Sequence, residues 1–333
     1  MTRTDERSHS ASALVARRAS DVDVSVLVPA KDEAENLPLF MQLAAAAFAT
    51  SPAVRFEVVV IDDGSEDDSW AVLQRLSGEY SFLRTVRHRV RRGIADALRT
   101  GYLNSSGKVL VFYPADLQFM PEDIPRLVAP ILDDAADMVT GFKEGKYDKA
   151  FVSGIYNGLS RTLFDEPVKD LNSVKAYRRE IMDALPVRPD GHRYMIVIAA
   201  AQGFTVTEIP VPLHARHAGK SKFGLSRIPI GVLDMLSVWF ELRFGKKPLL
   251  LFGMLGAGLF AIGLLSGIAA LIALAVDNVG YRWVWTLVQT CLILGSVLFA
   301  TGLLGEQIAG QRAEVREMRR QLDEVRAARH PDA

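Results

Sequence analysis

Three short groups of side chains stand out for the chemistry their types and spacing permit. Asp62-Asp63-Gly64-Ser65 follows directly on the apolar run Phe56–Ile61. Asp116 and Gln118 stand two residues apart, just past Val109-Leu110-Val111-Phe112. Arg216, Lys220 and Lys222 form a basic cluster further along. Carboxylate and amide oxygens are hard donors that can share a cation such as Mg²⁺ with a diphosphate. A carboxylate can equally accept hydrogen bonds from a base or a ribose. The basic cluster suits a phosphate headgroup. Plainer roles compete: Asp62 and Asp116 as turn or cap residues, the cations as a patch on anionic lipid.

Such groups act together only if a scaffold brings their strand ends to one edge. Apolar, β-forming runs occur at Val24–Pro29, Phe56–Ile61, Phe82–Val86, Val109–Phe112 and Met138–Gly141. Between them lie helical patterns at Leu37–Ala49 and Ser69–Leu76 and one opening at Gly93. Alternation at this spacing predicts an α/β fold with a doubly wound, mostly parallel sheet. Open sheets of this class hold ligands at the carboxyl ends of their strands, where both acidic groups fall. The first strand runs into Pro29-Ala30-Lys31-Asp32-Glu33, with no G-x-G-x-x-G, and the chain contains no G-x-x-x-x-G-K-[ST]. Both absences weaken a dinucleotide oxidoreductase and a P-loop phosphotransferase.

Composition narrows the class further. The 333 residues carry 39 basic and 39 acidic side chains, a balance that argues against a nucleic-acid partner. The single cysteine, Cys291, excludes an intrachain disulfide and lies in an apolar run. Residues 1–21 are polar and Arg-rich without the apolar core of a signal peptide. They are expected to form a disordered lead, with residues 22–223 as a cytosolic catalytic domain.

The character changes near Gly224. In residues 224–247 Arg227, Asp234 and Glu241 recur every seven residues against an apolar background with Trp239 and Phe240. A helix gathers them onto one polar stripe, the pattern of an amphipathic helix in a membrane interface. Residues 248–276 and 283–305 are long apolar runs separated by a short polar turn. Each exceeds or matches the roughly 20 residues that span a bilayer, so a two-helix transmembrane hairpin is predicted. Lys246 and Lys247 precede it and Arg312, Arg316, Arg319 and Arg320 follow it. The positive-inside rule then places both flanks, and the catalytic domain, on the cytosolic side of the inner membrane as a multi-pass protein. Residues 306–333 are a charged helix in which Ile308, Val315 and Leu322 share one heptad position and Gln311, Met318 and Val325 its partner. That spacing fits a short coiled coil, and with it a homo-oligomer, or else a solvated amphipathic helix.

Five segments in order carry a resemblance. They are Val28-Pro29-Ala30-Lys31-Asp32-Glu33-Ala34-Glu35-Asn36-Leu37; Ile61-Asp62-Asp63-Gly64-Ser65; Arg92-Gly93 through Arg99-Thr100-Gly101; Ala115-Asp116-Leu117-Gln118 with Pro121-Glu122-Asp123; and Arg216-His217-Ala218-Gly219-Lys220-Ser221-Lys222. The chain resembles a family 2 glycosyltransferase of GT-A fold and polyprenyl-phosphate type, similar to dolichyl-phosphate mannose synthases and bacterial polyprenyl-phosphate glucosyltransferases. The resemblance covers roughly Val24 to Phe223, plus the paired spans that some relatives share.

The resemblance implies a UDP- or GDP-sugar donor bordered by Pro29, Ala30, Glu33, Asp63 and Gly93, with Asp62 holding the loop. It implies Mg²⁺ or Mn²⁺ held by Asp116 and Gln118 on the donor diphosphate. It assigns the acceptor phosphate to Arg161, Ser173, Lys175, Arg216, Ser221 and Lys222, the first three in segments that resemble the family's acceptor loops. Asp116 and Asp170, the latter in Asp170-Leu171-Asn172-Ser173, take the catalytic positions. The expected reaction is single-sugar transfer to a polyprenyl phosphate with inversion.

The pattern also departs from the family. Relatives usually read Asp-Ala-Asp-Leu-Gln; here Pro114 takes the first position, so one metal ligand is missing. Asp32 stands where relatives often have Asn, and Ile94 replaces the usual basic residue after Gly93. Two other readings therefore stay open. One is a transferase acting on a different glycan, lipid or protein acceptor. The other is a catalytically degraded, transferase-like membrane scaffold.

Overall fold

A computed structural model of the chain describes residues 22–144, 173–184, 191–215, 217, 228–245, 247–277 and 282–329. Arg161, Asp170, Arg216, Ser221, Lys222 and the N-terminal lead lie outside these residues. The chain divides into two units, Met1–Val232 and Leu233–Ala333.

The first unit is built on a seven-stranded sheet in the order β3-β2-β1-β4-β6-β5-β7. The strands are β1 (Val24–Ala30), β2 (Phe56–Asp62), β3 (Leu83–Arg87), β4 (Val109–Phe112), β5 (Met138–Glu144), β6 (Lys175–Arg178) and β7 (Val206–Pro212). The first four pair in parallel, with Val24 opposite both Phe56 and Val109. β6 runs antiparallel to both neighbours and sits between β4 and β5. Its four residues, Lys-Ala-Tyr-Arg, show no apolar alternation that a sequence reading could recognise. Lys175, expected in an acceptor loop, is therefore a strand residue opposite Phe112.

Alternation along the strands feeds two apolar layers. Val24, Val26, Val28, Val58 and Val60 face helices α1 (Leu37–Ala49), α2 (Ser69–Glu79) and α4 (Ile124–Leu132). Leu27, Val59, Ile61 and Leu110 face α3 (Ile94–Leu103) and, beyond the short α5 (Arg179–Ala184), α6 (Gly191–Ala201). Phe40 of α1 is fully buried against the first layer. Truncating it to alanine removes contacts worth about 3–5 kcal/mol.

The second unit contains most of α7 (Ile228–Phe244), then α8 (Pro248–Asp277) and α9 (Arg282–Arg329). The most apolar windows of α8 and α9 are long enough to cross a membrane yet only 11% and 22% buried. A core helix of a soluble protein would hide such a surface; these helices expose it, as membrane spans do. Between them the backbones nearly touch. A Cβ on Gly256 would lie 2.6 Å from Phe299 N and 2.7 Å from Gly295 O, so only glycine fits. Lipid offers helices no hydrophobic drive to associate, and close backbone packing at small residues takes its place. Glu306 Oε2 accepts a hydrogen bond from Leu249 N at 3.3 Å, capping the start of α8 from the neighbouring helix.

α9 is one uninterrupted helix of 48 residues, where a span and a separate tail were expected. The reason is local: Glu306 to Arg329 contains mostly strong helix formers, and the next proline is Pro331. The change of solvent alters composition without breaking the backbone. Arg312 lies 3.9 Å from Glu241 of α7, and Phe240 packs on Phe252 with ring centroids 5.7 Å apart.

Candidate active site

The parallel register of β1, β2 and β4 brings three loops to one sheet edge. The loops after β1 and β2 brace each other. Asp32, in the left-handed region at φ 54°, donates its N–H to Ser65 Oγ at 2.9 Å and accepts from Glu66 N at 2.9 Å. Glu33 N donates to Ser69 Oγ at 2.8 Å, Ala34 N to Asp67 at 3.2 Å, and Lys31 Nζ to Gly64 O at 3.0 Å. Glu33 also accepts from Asn36 Nδ2 at 2.6 Å. Asp residues tolerate the left-handed region, so the exchange of Asn for Asp at position 32 preserves the turn. Gly64 is required at φ 69°: a Cβ there would meet Arg91 N at 2.7 Å.

Asp62 is fully buried at the start of this loop. Its Oδ1 accepts from Ser65 N at 2.9 Å and its Oδ2 pairs with Arg87 Nε at 3.0 Å. Arg87 in turn lies over the Trp70 ring. Asp63 fastens the edge to the next helix. Its carboxylate accepts from Arg92 N at 2.7 Å, Gly93 N at 2.8 Å and the His88 ring at 2.8 Å. Burial pushes the Asp63 carboxyl up, but these hydrogen bonds outweigh it and hold the group below its ordinary 3.8. Gly93, at φ 97°, forms the N-cap of α3. Pro29 is half-buried in β1, and Ala30 O accepts Asp63 N at 2.8 Å. A cleft of about 710 Å³ opens beside this frame, lined by Lys31, Gly64, Ser65 and Glu66 with Arg87, Arg89 and Arg91. Its cations outnumber its one carboxylate, which favours an anionic ligand.

The β4 end is built differently. Past Phe112 the alternation continues: Tyr113, Ala115, Leu117 and Phe119 are buried while Pro114, Asp116 and Gln118 are half-buried. Asp116 and Gln118 thus stay accessible while the residues between and around them anchor the loop. Leu117 is held at φ 55°, unfavourable for a bulky residue, and full burial of its side chain offsets that strain. Tyr113 Oη donates to Met120 O at 2.6 Å and closes the loop, and His214 N donates to Gln118 O at 2.9 Å. Gln118 N also donates to Asp116 Oδ1 at 3.3 Å.

One carboxylate and one amide oxygen, two residues apart and half-buried, fit a hard divalent cation in chemical type. Among the described residues no cluster of three or more His, Cys, Asp or Glu side chains could hold a metal ion. Ser173 and Lys175 are buried beside Phe112. Lys175 Nζ donates to Ser173 O at 2.8 Å and lies 5.8 Å from the Phe112 ring centroid.

Sequence reasoning passed over His88 and Ser69 and gave Ser65 and Thr100, though quoted in matching segments, no role of their own. The serines act through loop-to-loop bonds that no spacing rule announces. His88 stands inside the basic run Arg87-His88-Arg89-Val90-Arg91-Arg92, where nothing distinguishes it.

Comparisons with known proteins agree with this architecture. Residues 25–179 match the family described as Glycosyl transferase family 2. Over 303 residues the chain is 29% identical to the dodecaprenyl-phosphate galacturonate synthase of Rhizobium johnstonii, an alignment covering 86% of this chain and 88% of that protein. It is similar to the crystal structure of glucosyl-3-phosphoglycerate synthase from Mycobacterium tuberculosis in complex with Mn²⁺, uridine diphosphate and glucosyl-3-phosphoglycerate. There the TM-score is 0.51 at 23% identity, over 67% of this chain and 82% of the other. A second complex of that enzyme, with Mn²⁺, UDP-glucose and phosphoglyceric acid, gives 0.51 at 21% identity over 67% and 82%. At these identities the likeness is one of fold. Sheet, strand-end carboxylates and family match converge on one region: residues 25–179, which match the Glycosyl transferase family 2 model, are followed by two helices long and apolar enough to cross a membrane.

Proposed function

We propose that this protein is an inverting glycosyltransferase, anchored in the inner membrane, that transfers one sugar from a UDP- or GDP-sugar to a polyprenyl phosphate at the cytosolic leaflet. The observation that carries the reading is the span of the likeness to a dodecaprenyl-phosphate galacturonate synthase, which covers 86% of the chain rather than the sheet domain alone.

In this reading Pro29, Ala30, Glu33, Asp63 and Gly93 border the donor nucleotide while Asp62 keeps the loop closed. Asp116 and Gln118 would hold Mg²⁺ or Mn²⁺, which when bound neutralises charge on the departing diphosphate. An oxygen of the lipid phosphate attacks the anomeric carbon as the bond from that carbon to the diphosphate oxygen breaks. The electron pair leaves with the nucleoside diphosphate, and configuration inverts. With a second pKa near ~6, a phosphate monoester is largely dianionic at neutral pH and needs little help from a base. Alignment then supplies most of the rate, and Asp170 is assigned to it. Arg161, Ser173, Lys175, Arg216, Ser221 and Lys222 are assigned to the acceptor phosphate. Cations flanking the two spans favour cytosolic termini, and the heptads of the last helix favour a homo-oligomer.

The test is transfer of labelled sugar from a panel of UDP- and GDP-sugars to a short polyprenyl phosphate, in detergent with Mg²⁺ or Mn²⁺. One donor is expected to yield a lipid-linked sugar. No product with any donor, from protein that still binds nucleotide, would sink the reading.

A further inference from the structure

His88 follows β3 directly, and its N–H continues the β-ladder by donating to Asp62 O at 2.9 Å. That bond fixes the backbone so that the imidazole reaches the next carboxylate. The ring is 6% exposed. Nδ1 lies 2.8 Å from Asp63 Oδ1, and Nε2 lies 2.9 Å from Thr100 Oγ1 on α3. An ionised carboxylate only accepts, so the hydrogen between His88 and Asp63 sits on Nδ1. The Thr100 hydroxyl can donate to Nε2 or accept from it, so either protonation state of the ring is satisfied.

Hydrogen bonds on Asp63 are unevenly divided. Oδ1 accepts from His88 and from Arg92 N, whereas Oδ2 accepts from Gly93 N. A carboxylate oxygen offers two acceptor positions, so Oδ1 is filled and Oδ2 can take one more donor. Without His88 the two backbone donors still hold the group, but either oxygen could then receive an incoming N–H or O–H.

We infer that His88 is a positioning residue for donor recognition: braced by Thr100, it occupies Asp63 Oδ1 and directs Oδ2 toward a hydrogen-bond donor of the nucleoside. This inference rests on the reading of Asp63 as a nucleotide-contacting carboxylate, and a merely structural histidine would predict neither the split nor the rescue described next.

The experiment is calorimetric titration of the full chain in detergent with UDP and with GDP, both with Mg²⁺, alongside donor KM and kcat. His88→Leu is expected to weaken the preferred nucleotide about ten- to hundredfold, the size of a lost hydrogen bond to a charged group. KM for the donor should rise by a similar factor and kcat should change far less. His88→Asn, whose Nδ2 can still donate to Oδ1, should recover most of the affinity. Equal losses in the Leu and Asn variants, or wild-type affinity in His88→Leu, would overturn the inference. If His88→Leu does not fold, Thr100→Val takes its place with an expected loss of about three- to tenfold, and unchanged affinity there overturns the inference equally. Asp63→Asn separates the levels. Wild-type nucleotide affinity in that variant overturns the Asp63 reading itself; a weakened Asp63→Asn beside an unaffected His88→Leu overturns the role of His88 alone.

Discussion

Two strand ends flank β1, and each delivers carboxylate chemistry to the same edge by a different physical route. At the β2 end the carboxylates are themselves the fasteners: Asp62 and Asp63 accept hydrogen bonds from Ser65, Arg92, Gly93 and His88, and Asp62 pairs with Arg87. At the β4 end the fasteners are apolar. Tyr113, Ala115, Leu117 and Phe119 are buried and anchor the loop, while Asp116 and Gln118 between them are half-buried. The contrast teaches that removing a carboxylate should cost stability at one end and chemistry at the other.

The sharpest break of that contrast is at Asp116. Asp116→Ala should lower metal-dependent transfer about a thousandfold or more while the melting temperature barely moves. Full turnover in that variant would remove Asp116 from the site. The next largest effect is expected at Asp62. Asp62→Ala removes a buried carboxylate that accepts a hydrogen bond from Ser65 N and pairs with the partly exposed Arg87, and should destabilise the sheet unit by about 1–3 kcal/mol, read by chemical denaturation in detergent. An unchanged midpoint would show that the loop is held by other bonds. Asp63 offers a pH test. Its carboxyl is held below the ordinary 3.8, so its contribution to stability is complete above that value and is lost as pH falls through the depressed one. Melting curves of wild type and Asp63→Asn should therefore be widest apart near neutral pH and converge as pH falls through the depressed carboxyl range; a gap constant with pH would contradict the assignment. The smallest effect is expected at Pro114. Pro114→Asp should leave Mg²⁺ binding unchanged or tighten it by up to about tenfold. Weaker binding would show a site shaped around the proline.

The same contrast explains what could be read from the chain alone. β1, β2 and β4 are apolar runs that end in polar turns, and their pairing in parallel follows from the intervening helices. The position of β6 did not follow, because an antiparallel insertion between β4 and β5 is set by topology. The apolar anchors at the β4 end were legible through their alternation, although the left-handed Leu117 was not. The β2 end was legible in type but not in wiring: Asp62 and Asp63 announce themselves, whereas Ser65, Ser69, His88 and Thr100 become partners only in three dimensions. In the second unit, hydropathy located both apolar runs, and the glycines that pack between the helices recur seven apart (Gly256 and Gly263, Gly295 and Gly302), a spacing the sequence reading left unused; the continuity of α9 was hidden by an abrupt change of composition.

That continuity has a mechanical consequence. At about 1.5 Å per residue, Glu306 to Arg329 forms a stiff mast of ~36 Å rooted in the apolar stretch. With no proline or irregular turn at its foot, tilt in the root becomes displacement at the tip, on the order of 6 Å for each ten degrees. The rod thus carries any reorientation of its apolar root, enlarged by its length, to the far end of the chain.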